Sequence, residues 1–268
     1  MQSVDKYAIL KKDTHLLVMI KGYQPYTDCT LDSYYLTSNQ LYKLAKQMVD
    51  ILQQNGGQAR IPNELSFRSL VYESGLASIK GINSMAMNER LGSYFCINVV
   101  STNVDISELG NVSNGQCQPE LCIDCQICVH NCPNNAIGSD GSFDASRCIR
   151  AYMEGQELTQ DMFDKIGNRF LGCDDCQSIC PHNNHIDRQP ASENIKNLVD
   201  NALYDCPSLA PILGSNYARP KIVFNNAIIV AGNRKDKKHL ARIQELSQDP
   251  RFSHNAQMAI QKITHPKE

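Results

Sequence analysis

Two hydrophobic rhythms organise the first hundred residues. Residues 14–22 (THLLVMIKG) hold a short unbroken apolar run, which predicts a buried strand. From Ser38 onward, Leu41, Leu44, Ala45, Met48, Ile51 and Leu52 recur every three or four positions and trace one face of a helix. Ser38 can cap its start, and Gly56 with Gly57 can stop it. Residues 65–74 predict a second helix and residues 94–100 a second strand. Alternating strands and helices predict an α/β domain over residues 1–114, with α+β as the other arrangement.

The rhythm then fails. Over residues 115–190 turn residues and cysteines dominate, and apolar periodicity survives only across residues 149–166. A stretch with so little to bury draws its folding energy from bound metal. Periodicity returns after Pro190. Residues 191–203 predict a helix, 222–230 and 238–246 an antiparallel pair broken at Gly232 and Asn233, and 253–263 a final helix. Over residues 191–268 this predicts a helical tail, either a simple cap or a HEAT-like unit.

Composition narrows the classes. Apolar residues are 42% and charged residues 20% of 268, an ordinary globular balance. The formal net charge of -2 gives no global attraction to nucleic acid or anionic membrane. The basic group formed by Arg234, Lys235, Lys237 and Lys238 reads as a solvated turn. The chain begins MQSVDKYAILKKD, and its longest early apolar run, residues 16–20, is too short for a signal or a span. A cytoplasmic protein is expected, with no membrane partner.

Twelve cysteines in a reducing compartment point to metal rather than disulfides. Cys122, Cys125, Cys128 and Cys132 form a CxxCxxCxxxCP run, the ferredoxin pattern in which three thiolates wrap one cubane and the fourth reaches another. The paired gaps of two aim consecutive thiolates into one volume. A second motif, Cys173, Cys176 and Cys180 before Pro181, lacks one ligand, and Cys148 stands alone upstream. The count closes if the motifs exchange members: Cys122, Cys125, Cys128 and Cys180 on one cluster, Cys132, Cys148, Cys173 and Cys176 on the other. Two four-cysteine zinc sites are the competing reading, and clusters with a purely structural role are another. Cys29, Cys96 and Cys206 read as small hydrophobes and Cys117 as a stray thiol. His182 and His185 are loop histidines or tuners of a cluster.

The stretches RCIRAYMEG and IGNRFLGCDDCQSICPHN resemble the epoxyqueuosine reductase family. The likeness extends to Arg68, to Ser74, Gly75 and Leu76, to Gly92 and Ser93, and to Asn226, Ala227 and the Ala231, Gly232, Asn233 group. It implies two 4Fe–4S clusters with the same crossed ligands, cobalamin as electron acceptor, a modified tRNA base as substrate, and a HEAT-like tail. It also implies cofactor contacts from Arg68, Gly75 and Leu76. The family's acidic proton donor falls on Ile61, so no catalytic residue is assigned. Ala77 to Asn83, His182 and the Ser33 to Ser38 stretch also depart from the family pattern. Two functions follow: an oxidoreductase fed by a flavodoxin or ferredoxin, acting on tRNA or a small molecule, or a ferredoxin-like electron carrier without its own catalysis. An RNA-binding module stiffened by clusters is a third.

Overall fold

The computed structural model describes residues 6–11, 15–109, 112–113 and 120–265. Its N-terminal region runs β1 (Lys6–Lys11), β2 (His15–Gly22), α1 (Tyr34–Gln54), β3 (Ala59–Arg60), α2 (Phe67–Glu73), β4 (Ile79–Gly81), β5 (Ala86–Met87), β6 (Phe95–Thr102) and β7 (Val112–Ser113). Five strands form one sheet in the order β3-β6-β2-β1-β7. The β1–β2, β2–β6 and β3–β6 ladders are antiparallel, and only β1–β7 is parallel. The mixed helix and sheet content matches expectation, and of the two arrangements left open the ladders are those of α+β. Antiparallel neighbours need no crossover helix between them.

The apolar run in β2 is continuous because both sheet faces are covered. Successive strand side chains alternate between faces. Leu17 and Met19 turn to α1, where Leu41, Ala45, Val49 and Leu52 bury against them. Leu16, Val18 and Ile20 turn the other way, onto Leu70, Val71 and Leu76. Helix α1 starts before the expected Ser38, because Tyr35 and Thr37 are themselves buried and the Asp32 carboxylate accepts the Tyr34 N–H at 2.9 Å. Helix α2 begins at Ser66, whose hydroxyl accepts the Ser69 N–H.

The cysteine region contains β8 (Glu120–Cys122), α3 (Ile127–Asn131), α4 (Gln160–Ile166) and α5 (Asp175–Ser178). Strand β8 joins β4 in parallel, and β5 completes that small sheet. Part of this region is not left to metal. Ile149, Met153, Phe163, Ile166 and Phe170 are buried in the same core as the C-terminal helices, so ordinary hydrophobic burial anchors the stretch between the two motifs.

The tail comprises α6 (Glu193–Asp200), α7 (Ala210–Leu213), α8 (Pro220–Asn233), α9 (Leu240–Leu246) and α10 (Ser253–Thr264). Helix α8 packs chiefly on α10, which also carries α9, so the expected pairing of α8 with α9 gives way to a shared third helix. Gly232 permits this. A Cβ there would lie 2.8 Å from both Cα and Cβ of Ala259. No described helix is long and apolar enough to cross a membrane.

Candidate metal centre

The first cysteine run is bent by its own loop. Gln126 takes φ +55, ending the loop and starting α3. Its side-chain amide donates to the carbonyls of Ile123 and Ser139, which closes the turn around Cys125. Cys132 follows α3 in extended conformation, and its sulfur accepts the Ala136 N–H at 3.2 Å. The second motif is approached through Gly172 at φ +99, where a side chain would strike the Asp32 side chain. Helix α5 then carries Cys176, and Pro181 opens the turn after Cys180. Asn131 donates to the Asp175 carbonyl at 3.0 Å, binding the two motifs together.

Cys122, Cys125, Cys128 and Cys180 line one cavity of about 110 Å³. Gly81, Ile82 and Asn83 close its far wall, and His182 sits on its rim. Burial pushes the Cys128 thiol up to about 11, and the neighbouring Cys180, Cys122 and Cys125 push in the same direction. Burial also raises the Cys180 thiol, assisted by Cys122 and Cys125. The second group forms around Cys176, which burial raises first and Cys173, Cys148, Cys128 and Cys132 raise further. Cys173 is pushed up to about 12 by burial, with Asp175 adding to it. Cys128 thus has Cys122, Cys125 and Cys180 for neighbours, and Cys176 has Cys132, Cys148 and Cys173, with Cys128 also near Cys176.

Thiols crowded this way resist ionisation while nothing cationic stands among them. An iron–sulfur core supplies that charge, so the donor set fits two cubanes. The described cysteines are all free thiols. Among the described residues no group of three or more His, Cys, Asp or Glu converges tightly enough to hold a single ion. A cubane spreads its four thiolates over four irons and takes a wider spacing.

Ion pairs flank Cys173. Arg169 grips Asp175 with two bonds at 2.6 and 2.8 Å, and Arg188 meets Asp174 at 3.1 Å. Arg169, Cys173, Asp174 and Arg188, with Cys29 and Asp32, line a second cavity of about 380 Å³. Cys29, expected as a plain hydrophobe, shares that cavity with Cys173. Cys96 is buried under α1 and Cys206 in the tail core, both in apolar surroundings. Cys117 lies outside the described residues.

The α+β region grips the second motif through a buried polar knot that sequence reasoning missed. Ser93 N–H donates to Asn183 Oδ1 at 2.8 Å, Asn183 Nδ2 donates to Ser93 Oγ at 2.9 Å, and Gln177 Nε2 donates to the Ser93 carbonyl at 2.9 Å. Gly92 adjoins it at φ +54, and a Cβ there would run into Asn183 Oδ1. Spacing could not reveal the knot, since Ser93 stands 84 residues from Gln177 and 90 from Asn183.

The other expected site residues sit around the hairpin of β4 and β5. Arg68 is exposed on α2 and donates to Ser84 in that hairpin. Gly75 turns the chain at φ +69, and Leu76 is buried, its carbonyl accepting from Asn88 at 2.7 Å. None of the three lines a cysteine cavity. Ile61 packs against the α1 side of the core. His185 lies apart from His182, 3.3 Å from the Arg90 carbonyl.

A cleft of about 550 Å³ opens between β2, the start of α1 and residues 185–189. Tyr23, Gln24, Gln40, Arg90, Tyr94 and His185 contribute to it. Tyr94 is only 2% exposed, and its hydroxyl has no hydrogen-bond partner among the described residues. A buried phenol left unpaired is costly unless a ligand completes it.

Comparison with known proteins agrees with the geometry. Residues 121–183 match a family described as a 4Fe-4S double cluster binding domain. An epoxyqueuosine reductase of Francisella cf. novicida is 38% identical over 121 residues, covering 44% of this chain and 32% of that protein. That of Bacillus subtilis is 29% identical over 227 residues, covering 76% of this chain and 54% of the other. The chain therefore spans about half or less of the length of these relatives. Among solved structures, an epoxyqueuosine reductase with a tRNA-Tyr epoxyqueuosine-modified stem loop superposes with TM-score 0.74 at 24% identity, over 94% of this chain and 74% of that one. The enzyme from Streptococcus thermophilus superposes at 0.68 and 19% identity, over 95% and 74%. These superpositions establish the shared fold. The chain is similar to epoxyqueuosine reductases in sequence and shares their fold, with a double 4Fe–4S cluster binding domain at its centre.

Proposed function

We propose that this chain is an iron–sulfur oxidoreductase that passes electrons through two 4Fe–4S clusters to an acceptor in the cleft of its N-terminal region. The observation that supports it is the cavity lined by Cys122, Cys125, Cys128 and Cys180, with Cys132, Cys148 and Cys173 near Cys176 beside it. Cys122, Cys125, Cys128 and Cys180 hold one cluster, and Cys132, Cys148, Cys173 and Cys176 the other. Adjacent clusters let an electron step between them without crossing solvent. The three parts, residues 1–114, 115–190 and 191–268, act as acceptor region, electron relay and helical HEAT-like support.

The cleft is the acceptor's place because it joins the deeper thiol set to the sheet. Tyr23 lines it and bonds to Gln177, next to Cys176. Tyr94 offers a dry, unpaired hydroxyl, and Arg90 can meet an anionic group at the rim. Cobalamin is the acceptor we propose; when bound it supplies a cobalt centre that stores electrons at low potential. Arg68, Gly75 and Leu76 serve it by holding the hairpin of β4 and β5. The substrate we propose is a modified tRNA base, since relatives of this name share the fold, and the setting a reducing cytoplasm with a flavodoxin or ferredoxin as donor. Anaerobic titration with cob(II)alamin tests this reading. A spectral change that Tyr94→Phe weakens is expected, and corrinoid that elutes apart from the protein would remove cobalamin.

One observation favours a second reading, an electron carrier without its own catalysis. Ile61 stands where the family's acid is expected and is packed into the core, so it can neither donate a proton nor reach the cleft. Electron delivery to an added acceptor protein, with no turnover of an epoxyqueuosine-containing stem loop, would select that reading.

A further inference from the structure

Among the described residues ten large hydrophobic side chains are notably exposed, and five of them ride on the segments that carry the first thiol set: Leu121, Ile123, Ile127, Phe143 and Ile179, at 39% to 45% exposure. They gather around the first cavity: Ile127 lines it, and Leu121, Ile123 and Ile179 each adjoin a cysteine that does. Ile127 walls the first cavity beside Cys180, the neighbour of Ile179. Gln126 ties the Ile123 turn to Ser139, and a Cβ on Gly141 would sit 3.7 Å from Leu121 Cδ2. Cys125 is exposed at its centre, whereas Cys176 of the other set is held inward against the buried Ser93, Gln177 and Asn183 knot. Exposed apolar side chains gathered around a cofactor site mark an interaction surface.

Its charge says what docks there. Glu120, Asp124, Asp140 and Asp144 are exposed around the patch, and no Lys or Arg occurs from residue 120 to residue 146. Lys80, opposite Leu121 in the β4–β8 ladder, and Arg147 stand at the margin, with His130 on α3. Four thiolates outweigh the charge of the core they bind, so a loaded cluster makes the face more negative.

We propose that this face docks a one-electron carrier protein whose own cofactor edge is apolar and ringed by Lys or Arg, and that the Cys122, Cys125, Cys128 and Cys180 cluster is the one that exchanges electrons with it. The proposal rests on the two-cluster reading above and specifies the docking face of the carrier: it is basic where it meets the acidic rim, because opposite charges steer the approach. The step is outer-sphere. One electron moves between the carrier's metal and the cluster, and no bond forms or breaks.

The test uses anaerobically prepared, dithionite-reduced holoprotein mixed by stopped flow with ferric cytochrome c, a basic probe, or with an oxidised plant-type ferredoxin, an acidic one. Cytochrome c should be reduced faster, with a second-order rate falling about tenfold from about 20 mM to about 500 mM salt as screening removes the steering. The Asp124→Asn, Asp140→Asn, Asp144→Asn triple variant keeps these side chains' hydrogen-bonding shape and should lose most of that salt dependence while its iron content is unchanged. A salt-independent rate, or a faster reaction with the acidic ferredoxin, overturns the docking proposal. Reduction of methyl viologen or a similar small dye separates the two levels. Normal dye exchange with a failed salt test sinks only the docking face, whereas protein that holds no reducible cluster sinks the two-cluster reading with it.

Discussion

Replacing Gly92 by Ala tests how the α+β region grips the second cysteine motif. Two penalties add. The residue sits at φ +54, where an Ala costs roughly 1–2 kcal/mol relative to Gly. The new methyl group would also occupy the position of Asn183 Oδ1, which accepts the buried Ser93 N–H. Displacing that oxygen leaves the amide unpaired, at about 1–3 kcal/mol. The sum is about 2–5 kcal/mol. Gly56→Ala is the control, because Gly56 has φ +82 but nothing within 4 Å of an added Cβ. It carries the backbone penalty alone. Anaerobic denaturant unfolding of holoprotein, followed by circular dichroism, should place Gly92→Ala below Gly56→Ala by about 1–3 kcal/mol. Amide exchange at Ser93 should accelerate only in the former. Equal losses in both variants, with Ser93 still protected, would refute the steric reasoning and reduce the knot to a bystander.

Other perturbations test separate joints of the structure. Cys122→Ala and Cys180→Ala should abolish the same cluster, and Cys132→Ala and Cys176→Ala the other, each leaving about four of about eight irons with one electron-paramagnetic-resonance signal lost; four variants with four different signatures would contradict the crossed ligands. Cys206→Ser should leave iron content unchanged, since that thiol is buried in the tail core. Gly232→Ala should cost about 1–3 kcal/mol by overpacking, because its Cβ meets the backbone of Ala259, and a neutral result in thermal unfolding would show that α8 and α10 can slide apart. Burial lowers the pKa of His239, against the pull of Asp236. Unfolded chains then bind the proton more readily than folded ones, so this residue's contribution is present above the ordinary histidine range and is lost as pH falls through it. His239→Gln should flatten the fall in stability between about pH 7.5 and about pH 5.5, and an unchanged slope would assign the acid sensitivity elsewhere.

The parts of the fold legible in the sequence are those governed by local spacing. The CxxCxxCxxxCP run and the Gly-Cys-Asp-Asp-Cys motif could be sorted into two sets by count alone, because cubane ligation fixes both number and spacing. The apolar run of β2 and the helical stripe of α1 were legible because one period dominates each. What escaped depends on partners far along the chain. The start of α1 at Tyr34 rather than Ser38 is decided by tertiary burial of Tyr35, whose ring stacks edge-on with Tyr34 and Tyr217. The Ser93, Gln177 and Asn183 knot joins polar residues of two separate motif stretches whose pairing no spacing announces. Cys29 gave no sign that it would share a cavity with Cys173. The strand β1 was hidden in a short, lysine-flanked opening segment that pairs with β2 along its length.

The most direct check of the two-cluster account is compositional. Protein purified and reconstituted without oxygen should be brown, with about eight irons and about eight sulfides per chain and a broad absorption that bleaches on reduction. Colourless protein carrying zinc at about two ions per chain would contradict it.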